Sequence, residues 1–206
     1  MPRPGDADMC NRYVMSADPA ELASRYGVAL PPREEVTLPP PELFPDRPAW
    51  VVRADDGARI LDVMSWGFPF QTQGKTKLIE KRVTNVRNLD SGFWRHALTD
   101  PARRCLVPFT AFSEYGQIRG PDGKLPLHWF SVPSRPITSF AGIWRPVQGG
   151  ARAYAFLTCE PNSLVAPIHP KAMPVLLHRE DEERWLAGEL GELVSPFPAQ
   201  LMTVDA

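Results

Sequence analysis

The sequence predicts an α+β fold that is mostly β: one domain built on a curved, barrel-like sheet with a few short helices. The 206 residues suit a single domain with a full hydrophobic core. Proline accounts for 24 of them, more than twice its usual share of about 5%. These prolines are spread along the chain, which favours many short strands and turns over long helices.

The overall composition is that of a globular protein without a membrane anchor. Apolar residues make up 43% of the chain and charged residues 23%. No apolar run approaches the roughly 20 residues of a membrane span, and the N-terminus lacks the apolar centre of a signal peptide. We therefore expect a cytoplasmic, soluble protein. The net charge of −1 gives no overall attraction to nucleic acid, although basic residues crowd the stretch from Lys75 to Arg87 and could form a local basic patch.

The first half of the chain predicts a short helix and a hairpin. Residues 1–8 are polar with two prolines, and we expect a disordered extension. Asp18 is a candidate N-cap, followed by Pro19 and Glu21, and Gly27 is a suitable stop, so a helix is expected between them. Strands at 49–53 and 58–64 flank Asp55-Asp56-Gly57, which is a hairpin signal.

The segments on either side of this hairpin are expected to be loops. Residues 31–48 hold seven prolines and predict an irregular wrapping loop. Residues 65–70, rich in aromatic side chains, predict a loop that leaves the second strand.

The second half of the chain predicts a run of short strands. A helix capped at Asp90 or Ser91 is expected to extend to Leu98. Strands are expected at 104–109, 111–115, 125–132, 137–147, 151–158 and 174–177, and a terminal helix at 179–186.

Four reactive side chains on separate segments could carry chemistry. Cys10 is a potential nucleophile, His169 a general base and Glu114 an acid or base, while Asn85 could orient a nucleophile. Taken singly, each is more often structural, and Cys105 and Cys159 are expected to be packing residues. The cysteines form neither a Cys-x-x-Cys pair nor a zinc-finger spacing, so no metal site or other cofactor is predicted.

Taken together, the sequence motifs resemble the SOS-response-associated peptidase (SRAP) family, which shields abasic sites in single-stranded DNA. The resemblance covers residues 9–186, and with it we expect one SRAP domain over 9–206. It rests on the order and spacing of Met9-Cys10-Asn11-Arg12-Tyr13, Trp66-Gly67, Thr84-Asn85-Val86-Arg87, Arg104-Cys105-Leu106-Val107-Pro108, Phe112-Ser113-Glu114-Tyr115, Phe140-Ala141-Gly142-Ile143-Trp144 and Ile168-His169-Pro170-Lys171-Ala172-Met173-Pro174-Val175.

The resemblance implies roles for the four reactive residues. Cys10 is the expected nucleophile, Asn85 the orienting amide, Glu114 the acid/base and His169 the residue that handles protons. The expected partner is single-stranded DNA containing an abasic site, bound by a monomer without a cofactor.

The same resemblance implies a set of DNA-binding residues. Arg87 matches a phosphate-contacting arginine, and Trp66 is expected to line the groove and stack on a base. The remaining expected DNA contacts are basic: Lys81, Arg82 and Lys171.

The implied chemistry requires Cys10 to be the first residue of the mature protein. An α-amine attacks the aldehyde of the abasic sugar to give a Schiff base, and the thiol of the same residue closes a thiazolidine ring. Residues 1–8 are therefore expected to be absent from the mature protein, through a start at Met9 or through self-cleavage before Cys10. Strand cleavage by β-elimination from the Schiff base, a lyase activity, is a possible side reaction.

Two other functions remain open at this stage. One is a cysteine peptidase that acts on proteins through a Cys10–His169 dyad. The other is a module that binds single-stranded DNA without forming a covalent bond.

Overall fold

The computed structural model describes residues 10–31, 38–74 and 76–205, and these form a mostly-β domain with three short α-helices. The predicted fold class is thereby confirmed. Residues 1–8 lie outside the described ranges, so their predicted disorder stays a prediction. The strands are β1 (Tyr13–Val14), β2 (Glu42–Leu43), β3 (Pro48–Asp55), β4 (Ala58–Trp66), β5 (Phe68–Gln73), β6 (Leu78–Val83), β7 (Asn85–Val86), β8 (Arg104–Phe109), β9 (Ala111–Tyr115), β10 (Leu127–Ser131), β11 (Thr138–Pro146), β12 (Arg152–Cys159), β13 (Met173–Pro174), β14 (Leu176–Leu177) and β15 (Thr203–Asp205).

The helices are short and begin at well-defined caps. They are α1 (Pro19–Tyr26), α2 (Gly92–Thr99) and α3 (Glu182–Leu186), with 3-10 turns at Pro101–Arg103, Gln148–Gly150, Arg179–Asp181, Gly191–Leu193 and Ala199–Leu201. Asp18 and Glu21 form the predicted capping box of α1, and Gly27 ends this helix in the left-handed region. No helix in the described ranges is long and apolar enough to cross a membrane.

A closed ring of strands forms the centre of the domain. β12 pairs with β4, β4 with β3, β3 with β8, β8 with β11, and β11 again with β12. Because every strand of the ring has two partners, the sheet has the barrel-like curvature that the sequence predicts. β7 pairs in parallel with β12, while a second sheet has the order β15-β10-β9-β1-β2.

The chain passes from the ring to the second sheet at Thr110, between β8 and β9. These two strands have the predicted bounds, 104–109 and 111–115, and Pro108 lies within β8. A cluster of buried aromatic side chains packs beside this crossing. Tyr13 packs edge-on against Trp66 and Phe140, with ring centroids 5.1 and 5.6 Å apart, and donates to or accepts from the hydroxyl of Tyr154 at 2.6 Å.

Two predicted loops contain strands. Residues 68–73 form β5, which pairs with β6 in a separate two-stranded sheet, so the predicted aromatic exit loop is wrong over most of its length. Gly67 permits this turn into β5 because it adopts a φ of +107°, and a Cβ there would lie 2.7 Å from the Cβ of Arg82. Within the predicted wrapping loop, Glu42–Leu43 form β2, and Leu43 is buried.

Candidate functional site

The structure brings the four predicted reactive residues together around the backbone of Cys10. The amide Nδ2 of Asn85 donates to the carbonyl oxygen of Cys10 at 3.1 Å. The backbone N–H of Cys10 donates to the carboxylate of Glu114. Oε2 of that carboxylate lies 4.0 Å from Nδ1 of His169. Residues from four separate parts of the chain therefore meet at one point.

Strand pairing accounts for this arrangement. In the antiparallel β1–β9 pair, Tyr13 lies opposite Phe112, and Ser113 donates from both its N–H and its hydroxyl to the carbonyl of Arg12. Continuing this register past Arg12 would place Asn11 opposite Glu114, so Cys10 lies one residue from the position opposite Glu114. On the other side, the parallel pairing of Asn85 with Phe156 fixes β7 at the edge of the ring.

Glu114 is the most perturbed carboxyl group of the site. Its side chain is 4% exposed, and burial raises its pKa to about 8, although the hydrogen bond from the Cys10 N–H opposes this shift. Its Oε1 has no hydrogen-bond partner among the described residues. A carboxyl group with these properties can hold a proton near neutral pH and release it to a neighbouring group.

The thiol of Cys10 is buried and neutral. Cys10 is 1% exposed, and burial together with the charge of Glu114 raises the pKa of the thiol, while a backbone hydrogen bond at Arg12 lowers it. The nitrogen of Cys10, in contrast, faces an acid/base group directly. The geometry thus favours chemistry that begins at the nitrogen.

Asn85 and His169 are held by their own neighbours. Nδ2 of Asn85 also donates to Thr84 Oγ1 at 2.9 Å, whereas its buried Oδ1 has no partner within the described ranges. Nδ1 of His169 lies 2.8 Å from the carbonyl oxygen of Ala172. Because a carbonyl only accepts, this contact requires a proton on Nδ1 and leaves Nε2 as the acceptor of the neutral ring.

The predicted DNA-binding side chains have different environments. Lys81, on β6, and Lys171, after His169, are exposed. Arg87 forms an ion pair with Glu160, and Arg82 forms ion pairs with Asp46 and Glu80.

The prediction that Trp66 lines a groove and stacks on bases is wrong for this structure. Trp66 is 0% exposed, and its Nε1 donates to the carbonyl of Thr84 at 3.3 Å. Its rings stack on those of Phe156 and Tyr154. Trp66 therefore stabilises the segment that carries Asn85, and no face of its indole is available to a base.

Sequence reasoning missed a cation–π contact beside the site. The guanidinium of Arg12 lies between the rings of Phe44 and Trp129, at 5.3 and 5.2 Å from their centroids, and it pairs with Glu42. The position of Arg12 two residues after Cys10 was the available signal. Over the described part of the chain, no group of three or more His, Cys, Asp or Glu side chains could hold a metal ion.

Comparisons with known proteins find similar chains over most of this sequence. The family model described as "SOS response associated peptidase (SRAP)" matches residues 9–206. The abasic site processing protein YoaM of Bacillus subtilis is 25% identical over 191 residues, which cover 86% of this chain and 79% of that protein. A crystal structure from Bacteroides thetaiotaomicron has a TM-score of 0.75 at 24% identity, covering 95% of this chain and 90% of the other. One from Bordetella bronchiseptica has a TM-score of 0.73 at 19% identity, covering 95% and 98%.

Proposed function

Since this chain belongs to the SOS response associated peptidase (SRAP) family, we propose that it binds single-stranded DNA and becomes covalently attached to abasic sites through Cys10. The observation that carries this proposal is the contact between the nitrogen of Cys10 and the buried carboxyl of Glu114. The similarity to YoaM, named as an abasic site processing protein, supports the choice of substrate.

The first step joins the nitrogen of Cys10 to the sugar. The opened abasic deoxyribose presents an aldehyde, and the free amine attacks its carbon to form a carbinolamine. Loss of one water gives the Schiff base. Glu114, whose pKa is raised by burial, can give the proton that the departing hydroxyl needs. Asn85 holds the Cys10 carbonyl, so the amine keeps its position beside Glu114.

The second step closes the ring. The sulfur of Cys10 adds to the carbon of the Schiff base, the thiol proton passes to the nitrogen, and a five-membered thiazolidine results. The overall change is amine, thiol and aldehyde to thiazolidine and water. Strand cleavage by β-elimination would compete with this step for the same Schiff base, and His169, whose Nδ1 lies 4.0 Å from Glu114 Oε2, would move protons in either route.

This chemistry requires that Cys10 carry a free α-amine. The residues before Cys10 must therefore be absent from the active protein, either because translation starts at Met9 and Met9 is then removed, or because the chain cleaves itself before Cys10. The protein is expected to act as a monomer, since one chain supplies all four groups.

The test is denaturing electrophoresis of the protein mixed with single-stranded DNA that carries one abasic site. A chain that begins at Cys10 should give a heat-stable shifted band. Cys10→Ala and Cys10→Ser both retain the α-amine but lack the thiol, so each should give a band only after borohydride reduction traps the Schiff base, and none without it. If the chain beginning at Cys10 gives no band with or without borohydride, the covalent function is wrong.

A further inference from the structure

A small cavity beside the β5–β6 hairpin is lined by two arginines. It has a volume of about 260 Å³ and lies between this hairpin, α2 and the end of β11. Its described lining includes Phe68, Phe93, His96, Arg103 and Arg145 and contains no acidic side chain. We call it the Arg145 cavity.

Arg145 is a cation without a carboxylate partner in the described part of the chain. It is half-buried, burial lowers its pKa, and its Nη2 donates to the carbonyl of Pro69 at 2.8 Å. Arg82 and Arg87, in contrast, have acidic partners. Removing a cation from water without a counterion is unfavourable, so the site is suited to an external anion.

The walls of the cavity add aromatic faces and a second cation. The guanidinium of Arg145 lies 4.4 Å from the ring centroid of Phe68 and 5.0 Å from that of Phe93. Arg103 also lines the cavity. Its guanidinium lies over the ring of Trp144, and its contact to Asp100 is long, at 3.8 Å. Two guanidinium groups beside an aromatic wall match a phosphate attached to a ring system.

We propose that the Arg145 cavity binds one nucleotide of single-stranded DNA outside the abasic position. Its phosphate would lie between Arg145 and Arg103, with its sugar or base against Phe93. The assignment rests on the proposed function, because it takes the strand held at Cys10 as the ligand.

The strand register relates the cavity to the Cys10 site. Asn85 pairs with Phe156 of β12, and Arg145 pairs with Ala153 of the same strand. Three residues separate these rows, which is about 10 Å along the strand direction. Because side chains alternate along a strand, Arg145 and Asn85 face opposite sides of the sheet, and a single strand that contacts both would pass around the sheet edge at β7.

The test measures the affinity of Cys10→Ala protein for fluorescent single strands of about 4 to about 16 nucleotides, extended on the 5′ or the 3′ side. Arg145→Gln should raise Kd about fivefold for strands long enough to reach the cavity, equivalent to about 1 kcal/mol. It should leave the shortest strands unaffected. The slope of the logarithm of the binding constant against the logarithm of the salt concentration should become smaller in magnitude by about 0.7 for each lost phosphate contact. Arg95→Gln, which removes an exposed charge from α2, the helix that lines the cavity, is the matched control.

The outcomes separate this proposal from the covalent function. Equal effects of Arg145→Gln and Arg95→Gln at all lengths would overturn the cavity assignment, even if crosslinking succeeds. An Arg145-dependent length effect would support the cavity even if no crosslink forms. Binding of free deoxyadenosine monophosphate but no length effect would overturn the strand assignment in favour of a free nucleotide. If Arg145→Gln does not fold, as shown by thermal melting, Arg103→Gln provides the same test.

Discussion

Replacing Glu114 by glutamine should make the protein more stable and less active. Burial raises the pKa of Glu114 from its ordinary value of 4.5 to about 8, so the folded protein retains a proton that the unfolded chain releases in this range. Glutamine has nearly the same shape and is neutral at every pH. The substitution therefore removes the unfavourable ionisation of a buried carboxyl while it also removes the acid/base group.

The sign and size of the stability change follow from proton linkage. Between pH 4.5 and about 8 the folded state binds more protons than the unfolded state, so the free energy of unfolding of the wild type falls as pH rises. Across this range the wild type loses about 5 kcal/mol of its free energy of unfolding, at about 1.36 kcal/mol per pKa unit. At pH 7 it has lost about 3 kcal/mol. Below pH 4.5 both states are protonated, and the effect disappears.

The assay is urea unfolding of the wild type and Glu114→Gln in parallel across this pH range, in chains that retain the residues before Cys10. The advantage of the variant should grow from zero at low pH to several kcal/mol near pH 8. In a chain that begins at Cys10, the α-ammonium lies beside the carboxylate and lowers the pKa of Glu114, so the advantage should be smaller. Crosslinking by that chain should be slower by about 10²- to 10⁴-fold in the variant.

A stability difference that does not change between pH 4.5 and 8 would refute this reasoning. It would mean that the Glu114 carboxylate is solvated in the folded protein, contrary to its burial in the structure. The proposed role as a proton donor near neutral pH would then lose its basis.

Three further substitutions test other parts of the site. Glu160→Gln should release Arg87 and tighten the binding of single-stranded DNA about twofold to fivefold at low salt, the size of an exposed ion pair, in an anisotropy titration. His169→Gln should slow crosslinking about 100-fold without changing noncovalent affinity, as seen when rate and Kd are measured on the same samples. Trp66→Phe should lower the free energy of unfolding by about 1–3 kcal/mol, because Thr84 O loses its buried donor, yet leave the Kd for DNA unchanged. A weaker Kd in that variant would instead restore Trp66 as a DNA contact.

Local signals made much of the fold predictable. The capping box at Asp18–Glu21 and the turn at Asp55–Gly57 depend on residues a few positions apart, and both are present as expected. The missed strand β5 lies in the aromatic-rich segment that was expected to be a loop. It has only one neighbouring strand, and such an edge strand tolerates Pro69. Closure of the ring through β12 and β4 joins residues about ninety positions apart, and no local pattern predicts it.

The sequence predicted which residues are candidates for the site, but not which of them contact one another. The reactive residue types and the resemblance of their motifs named Cys10, Asn85, Glu114 and His169. Their meeting depends on pairings between distant strands that only the folded chain shows. Trp66 was misjudged because Gly67 beside it suggested a loop, whereas β4 continues to Trp66 and turns its side chain inward.

The electrostatics of Cys10 distinguish the proposed crosslinking from a peptidase that acts on proteins. A cysteine peptidase needs a thiolate, and its neighbouring groups lower the pKa of the thiol. Here burial and the charge of Glu114 raise the pKa of the Cys10 thiol, which favours the protonated form. Thiazolidine formation does not need a thiolate at the start, because the amine attacks first and the sulfur then closes a ring within the same residue. Glu114 lies at the nitrogen of Cys10, where an acid/base group would assist the first step, attack by the amine.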